Sequence, residues 1–349
     1  MNKMKESPEN VKILDQQVER KRFYWIDHAR GFIVMMLVVT LFLPDYIRNG
    51  PARFFLEHPV NQTTTTIMNF YDIGTPAFIC IMGLLMPLSF LRRKGEKGTR
   101  SAIFHMISRY GILLLLGLFI FFIDQGEFIK LVNGMVIIRW DVLPTLGLVG
   151  LIAIPFFWII PKIRAAIGIG MLFFYQIMLI YGGWRAYAIA SIHGGILGTI
   201  FGFAPLMIIS TSLGEYVLLN VEIPEKKKYR HLAIIGFLAF AIGLTLAFIP
   251  EWYANKRQVT LSYISISMGA IILLSFVFIF IDKKVRKPII ILDSYGKNPF
   301  LLYIIAVVSE FIISDLIGYE IDFIIGPIMI IIMTIIPLLL DKYKKIIKL

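Results

Sequence analysis

What most constrains this chain is a succession of apolar blocks of about twenty residues, each fenced by a short charged stretch. A bilayer's hydrocarbon core is crossed by a helix of ~20 such residues. Soluble cores rarely need one block of that length. Composition agrees: 58% of the residues are hydrophobic and 17% charged, with a mean hydropathy of +0.77, against about 25% charged in an ordinary soluble domain. The expected fold class is therefore all-α, a polytopic membrane bundle. Its spans fall near 23–43, 67–91, 102–123, 142–160, 165–181, 194–219, 232–250, 262–281, 296–314 and 321–340, about ten transmembrane helices. A bend is expected at Pro76, inside the second span. Residues 1–22 form a polar tail, 23–340 the membrane domain and 341–349 a basic C-terminal tail. No cleavable signal peptide is evident, and Cys80, the sole cysteine, allows no internal disulfide.

Charge sets the expected orientation. The N-terminal tail is basic, and so are the stretches at Arg92–Arg100, Lys162–Arg164, Lys226–Arg230 and Lys283–Lys287 and the C-terminal tail. The polar segments on the other side carry only Arg48, Arg53, Lys130, Arg139, Arg185, Lys256 and Arg257. The positive-inside rule then places both termini in the cytoplasm of a cell-membrane protein. This topology accounts for the net charge of +12. The basic residues are spread over six segments, so nucleic acid is not an expected partner.

Ionisable groups within or beside membrane spans are costly and mark candidate sites. Asp27 and Arg30, three apart at the start of the first span, share a helix face. They form either an anchoring ion pair or a contact for an anionic ligand. His58 lies in the first outer segment and is either a solvated loop residue or a general base. Asp72 opens the second span, as a helix-start acid or as a carboxylate that orients a base. His193 precedes a glycine-rich run, Gly194 to Gly198, whose simplest role is close helix packing. Asn255, Lys256 and Arg257 enter a span from the outer side, as interfacial anchors or as contacts for an acidic glycan. No metal-binding spacing, P-loop, nucleophile elbow, dinucleotide fingerprint or internal repeat is present in the sequence.

Several of these segments fall in one order that resembles a known family. Ile26-Asp27-His28-Ala29-Arg30-Gly31 looks like the L-D-x-x-R-G opening of transmembrane acyltransferases. Asp72 to Gly83 resembles the D-L-V-F-P-x-F-x-F-I-M-G signature of the heparan-α-glucosaminide N-acetyltransferase family. Val142 to Leu151 is similar to that family's V-L-Q-R helix, with Pro144 in place of Gln, and Gly195 to Ile200 to its G-I-L-G-T-I. Asn255-Lys256 with Thr260, Ser262 and Tyr263 resembles N-K-x-x-W-T-S-S-Y. Gly296 to Phe300 with Tyr303 resembles G-x-N-x-L-x-x-Y.

The resemblance implies a membrane-bound acetyltransferase. Acetyl-CoA, a co-substrate drawn from the cytosol, would acylate an amine or hydroxyl of an extracytoplasmic glycan or amino sugar, without a metal. It implies His58 as the catalytic base, because the family's catalytic His lies between the first two spans. Asp72 would orient it; Asn255, Lys256 or Asn298 would steady the oxyanion, with His193 at the acceptor; Arg30, paired with Asp27, would meet the pyrophosphate. The implied partners are the bilayer, acetyl-CoA and the glycan, with a second copy of the chain as a further candidate. The alternatives are a secondary transporter of a small polar or anionic solute and a non-enzymatic sensor or scaffold.

Overall fold

A computed structural model of the chain describes residues 23–43, 68–125, 129–132, 135–138, 140–191, 193–285, 287–313, 317–318, 321 and 324–343. The N-terminal tail 1–22, the end of the C-terminal tail and His58 lie outside the described residues. Helix α1 runs Tyr24–Leu41. A 3-10 turn, Phe70–Ile73, leads into a helical stretch Gly74–Gln125 broken at Gly98, whose φ of +81° is left-handed. We name its limbs α2 (74–97) and α3 (99–125). Then follow α4 (Val142–Ala153, continued by a 3-10 turn to Trp158), α5 (Pro161–Tyr181) and the short α6 (Trp184–Ala190). Next come α7 (Gly195–Leu219), α8 (Glu225–Ala247) and α9 (Leu261–Val285). The chain continues through α10 (Ile290–Lys297), α11 (Pro299–Phe311) and α12 (Ile325–Lys342).

Among the described residues, seven helices are long and apolar enough to cross a membrane, or eight if the bent pair α10–α11 is one span. Their outer faces remain greasy: Phe104 is 71% exposed, Phe237 62% and Ile331 57%. Such surfaces suit lipid and not water. The chain is a multi-pass helical membrane protein. Helix α7 is central, with 72% of its apolar window buried, against 17% for α8 and α12.

Helices in lipid associate through close packing of small residues, since lipid tails remove the hydrophobic drive between them. Gly31 of α1 and Gly296 of α10 show this. A Cβ on Gly31 would fall on the Leu292 carbonyl, and one on Gly296 on the Asp27 carbonyl. Nearby, His28 is fully buried and its Nε2 accepts the Ile289 backbone N–H at 2.9 Å. The start of α10 is thereby fixed to α1. Gly83 and Gly214 bring α2 against α7 in the same way.

Three features differ from the sequence expectation. The helical class holds, with one local addition: Ile129–Val132 pairs antiparallel with Met135–Ile138, Ile129 opposite Ile138. The strands are rich in Ile and Val, and Asn133-Gly134 between them is the strongest short hairpin signal in sequence. The span expected at 296–314 is instead a 13-residue helix, Pro299–Phe311, entered at 84° from the separate helix Ile290–Lys297. Pro76 causes no mid-span bend, because it falls in the first turn of α2, where its missing N–H costs no helical hydrogen bond.

Candidate functional site

Two cavities open from opposite ends of the bundle, and α1 runs beside both. Arg30 lines one; Leu37 and Leu41 line the other. At 1.5 Å per residue, Arg30 and Leu41 lie about 16 Å apart along the axis.

The first cavity, about 450 Å³, is strongly basic. Arg30, Arg92, Arg93, Arg109, Lys297 and His105 line it, and Glu96 is its one carboxylate among the described residues. Three of the cations are committed to acids. Arg30 donates to Asp27 at 2.9 Å, Arg92 meets Glu96 at 3.4 Å, and Lys297 meets Asp293 at 2.8 Å and also Asp341. Arg93 and Arg109 have no carboxylate partner among the described residues, and the Nε of each is buried without a hydrogen bond. Both side chains are half-buried, so each guanidinium keeps part of its surface open to the cavity. Two guanidiniums without a carboxylate partner among the described residues thus line one cavity. The deeper wall, with Phe78, Met82, Met86 and Met106, is apolar. Asn298 also lines this cavity, at the break between α10 and α11.

The second cavity, about 420 Å³, is lined by Tyr71, Asp141, His193, Lys256, Arg257 and Tyr303, among others. His193 is placed by a tight turn. It and the two following glycines all have positive φ, +53°, +68° and +60°. Its ring packs edge-on against Phe203, with centroids 6.1 Å apart. Lys256 belongs to the loop between α8 and α9, outside the membrane-spanning helices. That loop is pinned internally. The Asn255 side-chain oxygen accepts the Gln258 N–H at 2.8 Å, and Tyr175 donates its hydroxyl to the Gln258 carbonyl at 2.9 Å. Val259, at φ +57°, seats its side chain against Gly198 and Gly202 of α7. Lys256 thus stands over the Tyr71 ring at 6.0 Å. Loss of hydration pushes its ammonium down to about 8 from 10.5, although Asp72 and Asp141 pull the other way.

The anticipated residues therefore sort into two groups. Arg30, with Asp27 behind it, and Asn298 belong to the basic cavity. His193 and Lys256 belong to the other. The structure does not bring Asn298 to Asn255 and Lys256. Asn255 is buried and shapes the loop from behind the cavity wall. Asp72 is also buried. Its carboxylate accepts the Asn69 N–H at 2.8 Å, and its carbonyl accepts the Tyr263 hydroxyl at 2.8 Å. His58 lies outside the described residues, and Leu41 and Tyr71, on either side of it in sequence, both line the second cavity.

Sequence reasoning missed Asp141, His105 and the pair Arg93 and Arg109. Arg109 was detectable as an arginine within an apolar block. His105, in the same block, carried the same sign; Asp141 gave none, because only tertiary packing turns it toward a cavity.

Between the two lies a small cavity, a neck of about 30 Å³, that borders both. It shares Phe78 and Phe300 with the basic cavity, and Leu37, Gly74, Thr75, Val142 and Tyr303 with the other. Among the described residues no cluster of three or more His, Cys, Asp or Glu is placed to hold a metal. No protein-family model matches the sequence, and neither does any curated protein.

Proposed function

We propose that this chain is a transmembrane acyltransferase of the heparan-α-glucosaminide N-acetyltransferase type. It moves an acetyl group from cytosolic acetyl-CoA to an amine or hydroxyl of an extracytoplasmic glycan. One observation carries the reading: a cationic cavity and a His/Lys/Asp-lined cavity both border a neck of about 30 Å³ inside the bundle. A donor bearing phosphates suits the first. A polar acceptor that cannot enter the cell suits the second.

The topology that goes with it has ten crossings. A straight helix over Phe70–Ile120, 51 residues, would be about 76 Å long, more than twice the ~30 Å hydrocarbon core. The break at Gly98, amid Arg92, Arg93, Lys94, Lys97 and Arg100, divides it into two spans. With the bent pair and the shorter Val142–Trp158, the count reaches ten. Both termini then lie on the cytoplasmic side, with the basic cavity.

In this reading Arg93 and Arg109 take the phosphates of the donor by charge-assisted bonds. Arg30, already held by Asp27, lends field more than contact. The acceptor nitrogen or oxygen loses its proton to His58 and attacks the thioester carbonyl. The carbon–sulfur bond breaks as the tetrahedral oxyanion collapses, and CoA leaves as the thiol with that proton. Lys256, as a cation, steadies the oxyanion. His193 contacts the acceptor, and Asp72 orients the catalytic side. Inverted vesicles given acetyl-labelled acetyl-CoA test this: label should reach lumenal glycan and be lost in His58→Ala.

A second reading, a secondary transporter, is favoured by the 84° break at Asn298, since discontinuous helices mark transporter binding sites. Accumulation of a solute in proteoliposomes without acetyl-CoA would select it.

A further inference from the structure

The neck between the cavities is narrow and its narrowness has an identifiable cause. Phe78 near the start of α2 and Phe300 near the start of α11 meet edge-to-face, with ring centroids 5.3 Å apart and planes at 63°. Both rings are buried. They are the two residues that the neck shares with the basic cavity. The break at Asn298 determines where Phe300 sits, because Pro299 starts α11 there at a new angle. The Phe300 ring is held on a further side as well: the Arg109 guanidinium lies over it, 5.4 Å from the centroid. A ring fixed by an aromatic edge and a cation together is poorly free to swing aside. The remaining space, about 30 Å³, admits one or two water-sized spheres.

We infer that the Phe78–Phe300 pair is a fixed size filter between the two cavities, and that it restricts the transferred acyl group to the shortest chains. This assignment of the filter to acyl chains rests on the acyl-transfer reading above. The thioester carbonyl must reach the neck before acceptor attack can form the new carbon–nitrogen or carbon–oxygen bond and release the thiol. The acyl tail enters ahead of it, so each added methylene has to fit beside the two rings. The methionine-rich wall of the basic cavity does not impose this limit, because thioether side chains adapt to irregular volume.

Two experiments separate the filter from the chemistry. In the first, inverted vesicles receive acetyl-, butanoyl- or hexanoyl-CoA, with the wild type compared with Phe300→Ala and Phe78→Ala. Wild type should prefer acetyl, and Phe300→Ala should shift the butanoyl-to-acetyl ratio by about tenfold or more. An unchanged ratio in a variant that remains folded by size exclusion overturns the assignment. In the second, Tyr303→Cys in a Cys80→Ala background is exposed to a membrane-impermeant thiol reagent from each side of oriented proteoliposomes. Reagent on the Lys256 side should label it whether or not Phe300 is present. From the basic side it should be labelled only when Phe300→Ala is added. Equal labelling from the basic side with and without Phe300 overturns the filter itself. No turnover of any acyl-CoA, combined with Phe300-dependent labelling, overturns the acyl-transfer reading and leaves the filter standing.

Discussion

Arg93 and Arg109 differ from Arg30 in what already surrounds them. Arg30 spends its charge on Asp27, whereas the other two face the cavity with no acid of their own among the described residues. A charge-assisted hydrogen bond contributes ~1.5–3 kcal/mol, so Arg109→Gln should raise KM for acetyl-CoA by about 10–100-fold with a smaller effect on kcat. Arg30→Gln should raise it less. Steady-state kinetics on the two variants decides this. Lys256 makes a pH prediction. Its ammonium is pushed down to about 8, so it is cationic below that pH and loses its charge as pH rises through it. Transfer should then fall as the pH rises above about 8. In Lys256→Arg the falling limb should disappear over that range, since a guanidinium stays charged. A falling limb that persists in the arginine variant would remove Lys256 from the oxyanion role.

The elements read easily where length decided them. Among the described residues seven helices, or eight with the bent pair, are long and apolar enough to cross a membrane, because a lipid-facing backbone can satisfy its polar groups in few other ways. Where two tendencies competed, the sequence was less legible. Residues 290–295, with Asp293, fall between two expected spans, yet 290–297 fold as α10 because Gly31 and Gly296 let them lie directly on α1. The charges are then absorbed locally, Lys297 by Asp293 and Asp341. The pairing of Ile129–Val132 with Met135–Ile138 was legible in principle from the β-branched residues on either side of Asn133-Gly134 in the sequence. The α1–α10 contact gives a stability prediction. Gly296→Val should destabilise by about 1–3 kcal/mol, the usual cost of overpacking, and lower the thermal midpoint. Gly170→Val, where a Cβ would have nothing within 4 Å, should leave the midpoint nearly unchanged. Thermal denaturation in detergent compares the two.

At the scale of the whole molecule, function depends on what no single segment contains. The basic cavity is assembled from α1, α2, α3 and the α10–α11 break, and the second from α1, the α2 entry, the α4 entry, the turn at His193, the loop at Lys256 and Tyr303 of α11. Sequence order gave the ionisable residues their plausibility, but packing alone divided them between two chambers and placed Asn298 in the basic one. The proposed function requires those chambers to face different compartments. The most direct measurement uses inverted membrane vesicles that retain native envelope glycan inside, with acetyl-labelled acetyl-CoA added only outside, below its KM. Label should enter the lumenal glycan fraction with wild-type protein, fall about tenfold or more in Arg109→Gln, and drop to the level of empty-vector vesicles in His58→Ala. Label at that background level with wild-type protein, or equal labelling in all three, would contradict a transfer across the membrane through these two chambers.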